Sequence, residues 1–204
     1  MRDDPRLAIV GVILAGGRAE RMDGQDKGLL ALAGQPMVAH VIRILRPQIG
    51  ELLINANRNL DTYRALDCRV VSDDIGQFLG PLAGMLAAMN ATRAAYLLTA
   101  PCDSPLLPET YAHRMVTALV RDQAELCVAH DGNRLQPVFA LLRTDLRNSL
   151  KEYLESGERK IDRWFARHRM AKADFADYPT MFRNVNTPEE LAVLEQEMNS
   201  RSNL

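Results

Sequence analysis

Short apolar runs alternate along this chain with stretches whose apolar residues recur every third or fourth position. Ala8-Ile9-Val10-Gly11-Val12-Ile13-Leu14 has no polar side chain and is rich in β-branched residues, which predicts a central strand buried on both faces. Pro36 opens a helical pattern through about Leu45. Glu51 to Asn55 reads as a second strand, Asn59 to Leu66 as a short helix, and Arg69 to Ser72 as a third strand. Pro81 to Met89 is helical in pattern, and Ala95 to Ala100 is a fourth strand. This β-α-β-α rhythm predicts a mainly parallel sheet covered by helices, an α/β fold.

The second half is less regular. Pro108 suits the first turn of a helix running to about Val120, because proline there removes an N–H that the helix leaves unused. Ala124 to Ala129 and Pro137 to Leu142 read as strands joined through the turn sequence Asp131-Gly132-Asn133. Thr144 is placed to cap a helix to about Glu155, Gly157 punctuates it, and Ile161 to Arg167 follows as a helix. Ala171 to Phe175 has the length of an edge strand. Thr187-Pro188-Glu189-Glu190 has the form of a capping box opening a last helix to about Met198.

A length of 204 residues fits one domain over residues 1–204, with a core from about 7 to 198 and short frayed termini. The net charge is −1, so no global field draws in nucleic acid or an anionic membrane. The apolar start follows Asp3 and Asp4 and contains Gly11, which fits a buried strand better than an export signal. No run reaches the ~18 apolar residues of a membrane span. Cys68, Cys102 and Cys127 are odd in number and lack CxxC spacing, which argues against a disulfide framework or zinc site and for a reducing, cytoplasmic setting.

Chemistry concentrates where strands end. Leu14-Ala15-Gly16-Gly17-Arg18-Ala19-Glu20-Arg21-Met22-Asp23-Gly24-Gln25-Asp26-Lys27 leaves the end of the first strand, where open parallel sheets bind ligands. Two glycines let backbone N–H groups approach an anion, and Arg18, Arg21 and Lys27 supply cations. Neither a Walker loop nor GxGxxG is present. On these residues alone the stretch is either an anion loop or a plain strand-to-helix turn. Asp103, after the fourth strand, is either a Mg²⁺ ligand or an Asx turn. Asn55 and Asp73 end the second and third strands and belong on the same rim, where amide and carboxylate groups can read a base edge or ribose. The four histidines show no ligand spacing: His40 and His113 read as helix residues, His130 and His168 as surface. Trp164 reads as packing, and Lys160, Arg163, Arg167 and Arg169 as a solvated face.

Leu-Ala-Gly-Gly-x-x-x-Arg-Met followed by Asp-Lys-Gly-Leu-Leu resembles the start of the sugar-phosphate and cofactor nucleotidyltransferases. Ile54-Asn55-Ala56-Asn57-Arg58, Gly80-Pro81-Leu82-Ala83-Gly84-Met85, Pro101-Cys102-Asp103, Glu152 to Arg159 and Asn184-Val185-Asn186-Thr187-Pro188-Glu189-Glu190-Leu191 narrow the resemblance to the molybdenum cofactor guanylyltransferase family, from about Gly11 to Leu194. It implies a single-domain, Rossmann-like three-layer sandwich with a mainly parallel central sheet. It also implies transfer of GMP from GTP to molybdenum-molybdopterin with release of pyrophosphate. By position it assigns Leu14, Ala15, Gly16, Gly17, Lys27, Asn55, Asp73 and Asp103 to GTP, and Lys27, Arg21 and Asp103 to catalysis. Asp103 is assigned to Mg²⁺, and Asn184 and Asn186 to the pterin side. The implied partners are GTP, molybdenum-molybdopterin, and molybdopterin-supplying and molybdoenzyme-maturation proteins, with no nucleic acid and no membrane.

Two departures stand out: Asp23 beside Gly24, where the family commonly has glycine, and Arg134-Leu135-Gln136 before Pro137, where a more polar segment is expected. The alternatives are an enzyme of the same fold using CTP or UTP with another acceptor, such as a molybdopterin cytidylyltransferase or a sugar-1-phosphate enzyme, and a non-catalytic GTP-binding delivery or regulatory protein.

Overall fold

The computed structural model describes residues 8–17, 26–74, 80–183, 185 and 190–196. Its centre is β1 (Ile9–Leu14), apolar on both faces as its residues require. β1 pairs in parallel with β4 (Glu51–Asn55) on one edge and β6 (Tyr96–Pro101) on the other. Between β1 and β4 lie a two-residue hairpin, β2 (Ala31–Leu32) and β3 (Gln35–Pro36), and α1 (Met37–Leu45). The hairpin escaped the pattern reading because strands of two residues carry no period. Its turn residues, Ala33 and Gly34, both have positive φ, as tight hairpin turns require.

α2 (Leu60–Arg64) leads to β5 (Arg69–Val71), α3 (Pro81–Asn90) to β6, and α4 (Tyr111–Arg121) to β7 (Leu126–His130). β8 (Leu135–Arg143), α5 (Arg147–Glu155), α6 (Ile161–Phe165) and β9 (Met170–Asp174) follow, and residues 190–196 are helical. The seven-stranded sheet has the order β5-β4-β1-β6-β8-β7-β9. Only β8 runs against its neighbours, because a tight turn joins it to β7. In that turn the Asp131 carboxylate accepts from the N–H groups of Asn133 and Arg134, both at 2.8 Å, and Gly132 takes φ +97°.

Strand alternation divides the interior in two. Ile9 and Ile13 face α1 and α4, joining Val38, Val41, Leu45, Tyr111 and Met115. Val10 and Val12 face α3, α5 and α6, joining Leu82, Met85, Leu150, Tyr153 and Trp164. Three layers result: helices, sheet, helices. α3 is buried from Leu82 to Met89 without a break, because it lies between the sheet and α5.

Two helix starts differ from the sequence reading. α4 begins at Tyr111 rather than Pro108, whose carbonyl instead accepts from Tyr111 N–H in a turn. Thr144 opens a 3-10 turn, not a capped helix. Its N–H donates to Ala95 O and its hydroxyl to Ala94 O at 2.6 Å, so its hydrogen bonding is spent on the start of β6. Of the expected capping box, Thr187 to Glu190, residues 187–189 lie outside the described residues, and Glu190 is the first residue of the described helical segment.

Trp164 is fully buried, and its indole N–H donates to Ser149 Oγ at 3.2 Å. Trp164→Ala is expected to lower stability by about 3–5 kcal/mol, read as a shifted denaturant midpoint at constant slope. A loss under about 1 kcal/mol would mean that the helical layer collapses around the gap.

Candidate active site

Because β1, β4, β5 and β6 are parallel, their carboxyl ends open on one rim. The ladder continues past the end of β1: Ala15 N–H donates to Asn55 O at 2.8 Å, and Cys102 N–H donates to Leu14 O at 3.2 Å. Beyond it Gly16 and Gly17 are the last described residues before 26. A cleft of about 230 Å³ lies there, lined by Leu14, Gly16, Gly17, Asn55, Asp73 and Val138 among others. A side chain at Gly16 would stand 3.0 Å from Asn55 Oδ1 and 3.1 Å from Asn57 Nδ2, whereas among the described residues nothing lies within 4 Å of the same position on Gly17. One glycine permits close packing; the other leaves the cleft open.

The rim's amides and carboxylate form a network. Asn55 Nδ2 donates to Asp73 Oδ1 at 2.9 Å. Asn57 Nδ2 donates to Asp73 Oδ2 at 2.7 Å and its Oδ1 accepts from Asp73 N–H at 3.0 Å. Both Asp73 oxygens are thus held as acceptors in a fixed plane. Asn55 is buried, and a Cβ at Gly84 of α3 would stand 2.2 Å from its Oδ1. Glycine at 84 is therefore what lets this helix close over the strand end.

Val138 reaches the cleft through an irregularity. Val128 faces Ala140 across the β7–β8 pair but Ala129 faces Gln136, so residues 137–139 bulge. The buried Thr99 hydroxyl bridges the bulge, donating to Val138 O at 2.6 Å and accepting from Ala140 N–H at 3.0 Å.

Lys27 lies on a 3-10 turn, Lys27–Leu29. Its ammonium is 3.5 Å from Asp103 Oδ2. Pro101, two residues before Asp103, lines the cleft. Burial pushes the Asp103 carboxyl above its ordinary range, and Lys27 opposes this without cancelling it. Burial also raises the neighbouring Cys102 thiol, which keeps it protonated.

A family profile for the MobA-like NTP transferase domain matches residues 11–172. A molybdenum cofactor guanylyltransferase of Shewanella sediminis is 53% identical over 190 residues, 93% of this chain and 97% of the relative. One from Shewanella piezotolerans is 50% identical over 199 residues, 97% of this chain and 98% of the relative. The chain belongs to the molybdenum cofactor guanylyltransferase family. The fold agrees with the crystal structure of molybdopterin-guanine dinucleotide biosynthesis protein A from Archaeoglobus fulgidus. That match has a TM-score of 0.77 at 20% identity and covers 94% of this chain and 99% of that one.

The structure brings Leu14, Gly16, Gly17, Asn55 and Asp73 to one cleft and sets Lys27 against Asp103. Ala15 is buried beneath them with its N–H committed to Asn55. Arg18, Arg21, Asp23, Asn184 and Asn186 lie outside the described residues. Three residues went unrecognised in the sequence. Asn57 and Gly84 stand inside quoted motifs, and a glycine in a helix interior, costly by about 1 kcal/mol against alanine, is itself a signal of close approach. Asp26 opens the Asp-Lys-Gly-Leu-Leu segment, in which Lys27 alone received a role.

Among the described residues no three His, Cys, Asp or Glu gather as a metal cluster, and no helix is long and apolar enough to cross a membrane. Ser149 and His168 are hydrogen-bonded at 3.2 Å. His168 precedes β9 and Ser149 follows β8, so the pair belongs to the opposite rim.

The raised Asp103 carboxyl has a thermodynamic signature. Its folded value exceeds its unfolded value, so folding takes up protons across the carboxylate range, and its contribution to stability falls as pH rises through that range. Asp103→Asn removes the ionisable group. The variant is expected to melt above the parent at neutral pH, with the gap closing as pH falls below that range; a gap independent of pH would contradict the burial argument.

Proposed function

We propose that this chain transfers GMP from GTP to the phosphate of molybdenum-molybdopterin, forming the guanine dinucleotide cofactor and releasing pyrophosphate. The observation that carries the reading is the Lys27–Asp103 pair, 3.5 Å apart beside a glycine-lined cleft, in a chain 53% identical to a molybdenum cofactor guanylyltransferase over almost its full length. Residues 1–204 act in this reading as one nucleotidyltransferase domain.

The acceptor phosphate monoester, with a second pKa of about 6, is largely dianionic at neutral pH. It needs no general base. Its oxygen attacks the α-phosphorus of GTP in line, the new P–O bond forms, and the bond to the bridging oxygen breaks so that pyrophosphate leaves with the electron pair. The difficulty is charge, not proton transfer. Lys27 and Arg21 offset the charge on the phosphates, and Gly16 and Gly17 let the backbone approach them. Asn55 and Asp73 meet the nucleoside, with Asn57 holding Asp73 in orientation. Asn184 and Asn186 belong to the pterin side.

Asp103 suits Mg²⁺, which typically takes one or two carboxylates and completes its shell with phosphate oxygens and water. The fit rests on a mostly buried carboxylate at a strand end, 3.5 Å from a lysine ammonium. When bound, the cation supplies charge neutralisation at the reacting phosphates. A triphosphate arriving beside Lys27 gives the ammonium another partner and releases the Asp103 oxygen.

Three buried free thiols, Cys68, Cys102 and Cys127, suit a reducing compartment, so the reading includes a cytoplasmic location. It also includes direct receipt of the acceptor from a molybdopterin-supplying protein and passage of the product to a molybdoenzyme-maturation protein.

Isothermal titration with GTP, CTP and UTP, each with Mg²⁺, is expected to show a clear preference for GTP; preference for CTP or UTP would keep the chemistry and overturn the named substrate. Lys27→Ala and Asp103→Ala are each expected to slow pyrophosphate release on the order of 10²-fold or more. Full activity in either folded variant would remove that residue from the mechanism.

A further inference from the structure

The carboxylate of Asp26 is among the most enclosed charges in the molecule, its side chain 5% exposed. It sits one residue before Lys27, whose ammonium is 3.5 Å from the Asp103 carboxylate. Three donors converge on it: Gly28 N–H at 3.3 Å, Asn59 Nδ2 at 3.1 Å and Tyr63 Oη at 2.7 Å. Arg58 Nε lies 3.6 Å away. Burial drives the Tyr63 hydroxyl far above its ordinary range, so it remains a donor.

A buried charge is expensive unless paired and hydrogen-bonded, and here the compensation comes from a distance. The bond from Gly28 caps the 3-10 turn that carries Lys27. A cap needs nothing more. Asn59 and Tyr63, however, are 33 and 37 residues further along the chain, and with Arg58 they belong to the segment that continues from Asn55 and Asn57 into α2. Asp26 therefore bolts the turn to the element that ends in the amide network. Gly28 is packed closely too: a Cβ there would meet the same Tyr63 Oη at 2.6 Å and, from the end of β6, Cys102 Cβ at 3.2 Å. The backbone of Lys27 is held between α2 and the end of β6 by its two neighbours in sequence.

Lysine has a long flexible stem with many rotamers, so where its ammonium goes depends on how firmly its backbone is set. We infer that Asp26 is the positioning residue for Lys27, fixing the turn so that the ammonium reaches the reacting phosphates and coupling its place to the strand end that carries Asn55 and Asn57. The inference rests on the reading that Lys27 acts on the triphosphate. Misplacement of a reacting group by about 1 Å can cost on the order of 10²-fold in rate, so a remote bolt has enough leverage to matter.

The test is a double-mutant cycle on the full-length protein, read both as pyrophosphate release from GTP with molybdenum-molybdopterin and as GTP affinity by titration. Asp26→Asn keeps the size of the side chain but replaces one acceptor oxygen with a donor facing other donors. In the parent it is expected to slow the reaction by about tenfold or more; in the Lys27→Ala background it is expected to change the rate by less than about twofold, because the group it positions is gone. Tyr63→Phe removes the 2.7 Å bond and keeps the packed ring, so it carries the same cycle with a smaller loss if Asp26→Asn does not fold by circular dichroism. Equal losses in both backgrounds, or no loss in the parent, would overturn the inference and show a purely structural carboxylate. Full activity in Lys27→Ala itself would overturn the role of the lysine, and the inference with it.

Discussion

β1 has a parallel neighbour on each side, and its hydrogen bonds do not stop where the strand does. Ala15 still donates to Asn55, and Cys102 still donates to Leu14. These bonds bring the chain leaving β1 level with the ends of β4 and β6, so residues far apart in sequence share one rim. The glycine pair, the Asn55–Asn57–Asp73 network and the Lys27–Asp103 pair all hang from that arrangement. Were β1 at an edge of the sheet, the rim would lose one of its two flanks.

What was readable in the sequence follows from where information is local. β1, β4, β5 and β6 announce themselves as short runs built on Val, Ile and Leu, and their order of appearance puts Gly16, Asn55, Asp73 and Asp103 at corresponding ends. The Asp131-Gly132-Asn133 turn is likewise legible, since its hydrogen bonds close within the turn. Thr144 misled because a threonine before a helical pattern looks like a cap, while its hydroxyl had a carbonyl of an earlier segment to satisfy. Pro108 misled because the residues after it complete a turn before the helix starts.

The candidate site was legible as a set of strand ends, not as a set of contacts. Nothing in Asp26 reveals that its partners are Asn59 and Tyr63, and nothing in Asn57 reveals that it exchanges two hydrogen bonds with Asp73. Such pairings depend on how closely neighbouring loops approach, which short-range pattern does not encode. The bulge at residues 137–139 is of the same kind: Thr99, on the adjoining strand, spans it with one hydroxyl that serves two backbone groups.

The slot at Gly84 reaches beyond the packing of one helix. A single methyl group there would overlap the Asn55 carboxamide, at 2.2 Å, and approach the Leu14 side chain, at 2.9 Å. Any side chain at position 84 would thus have to displace the Asn55 carboxamide from its hydrogen bond with Asp73. The helix and the strand end are therefore coupled in one direction: α3 can take on a side chain at position 84 only where the group at position 55 gives way.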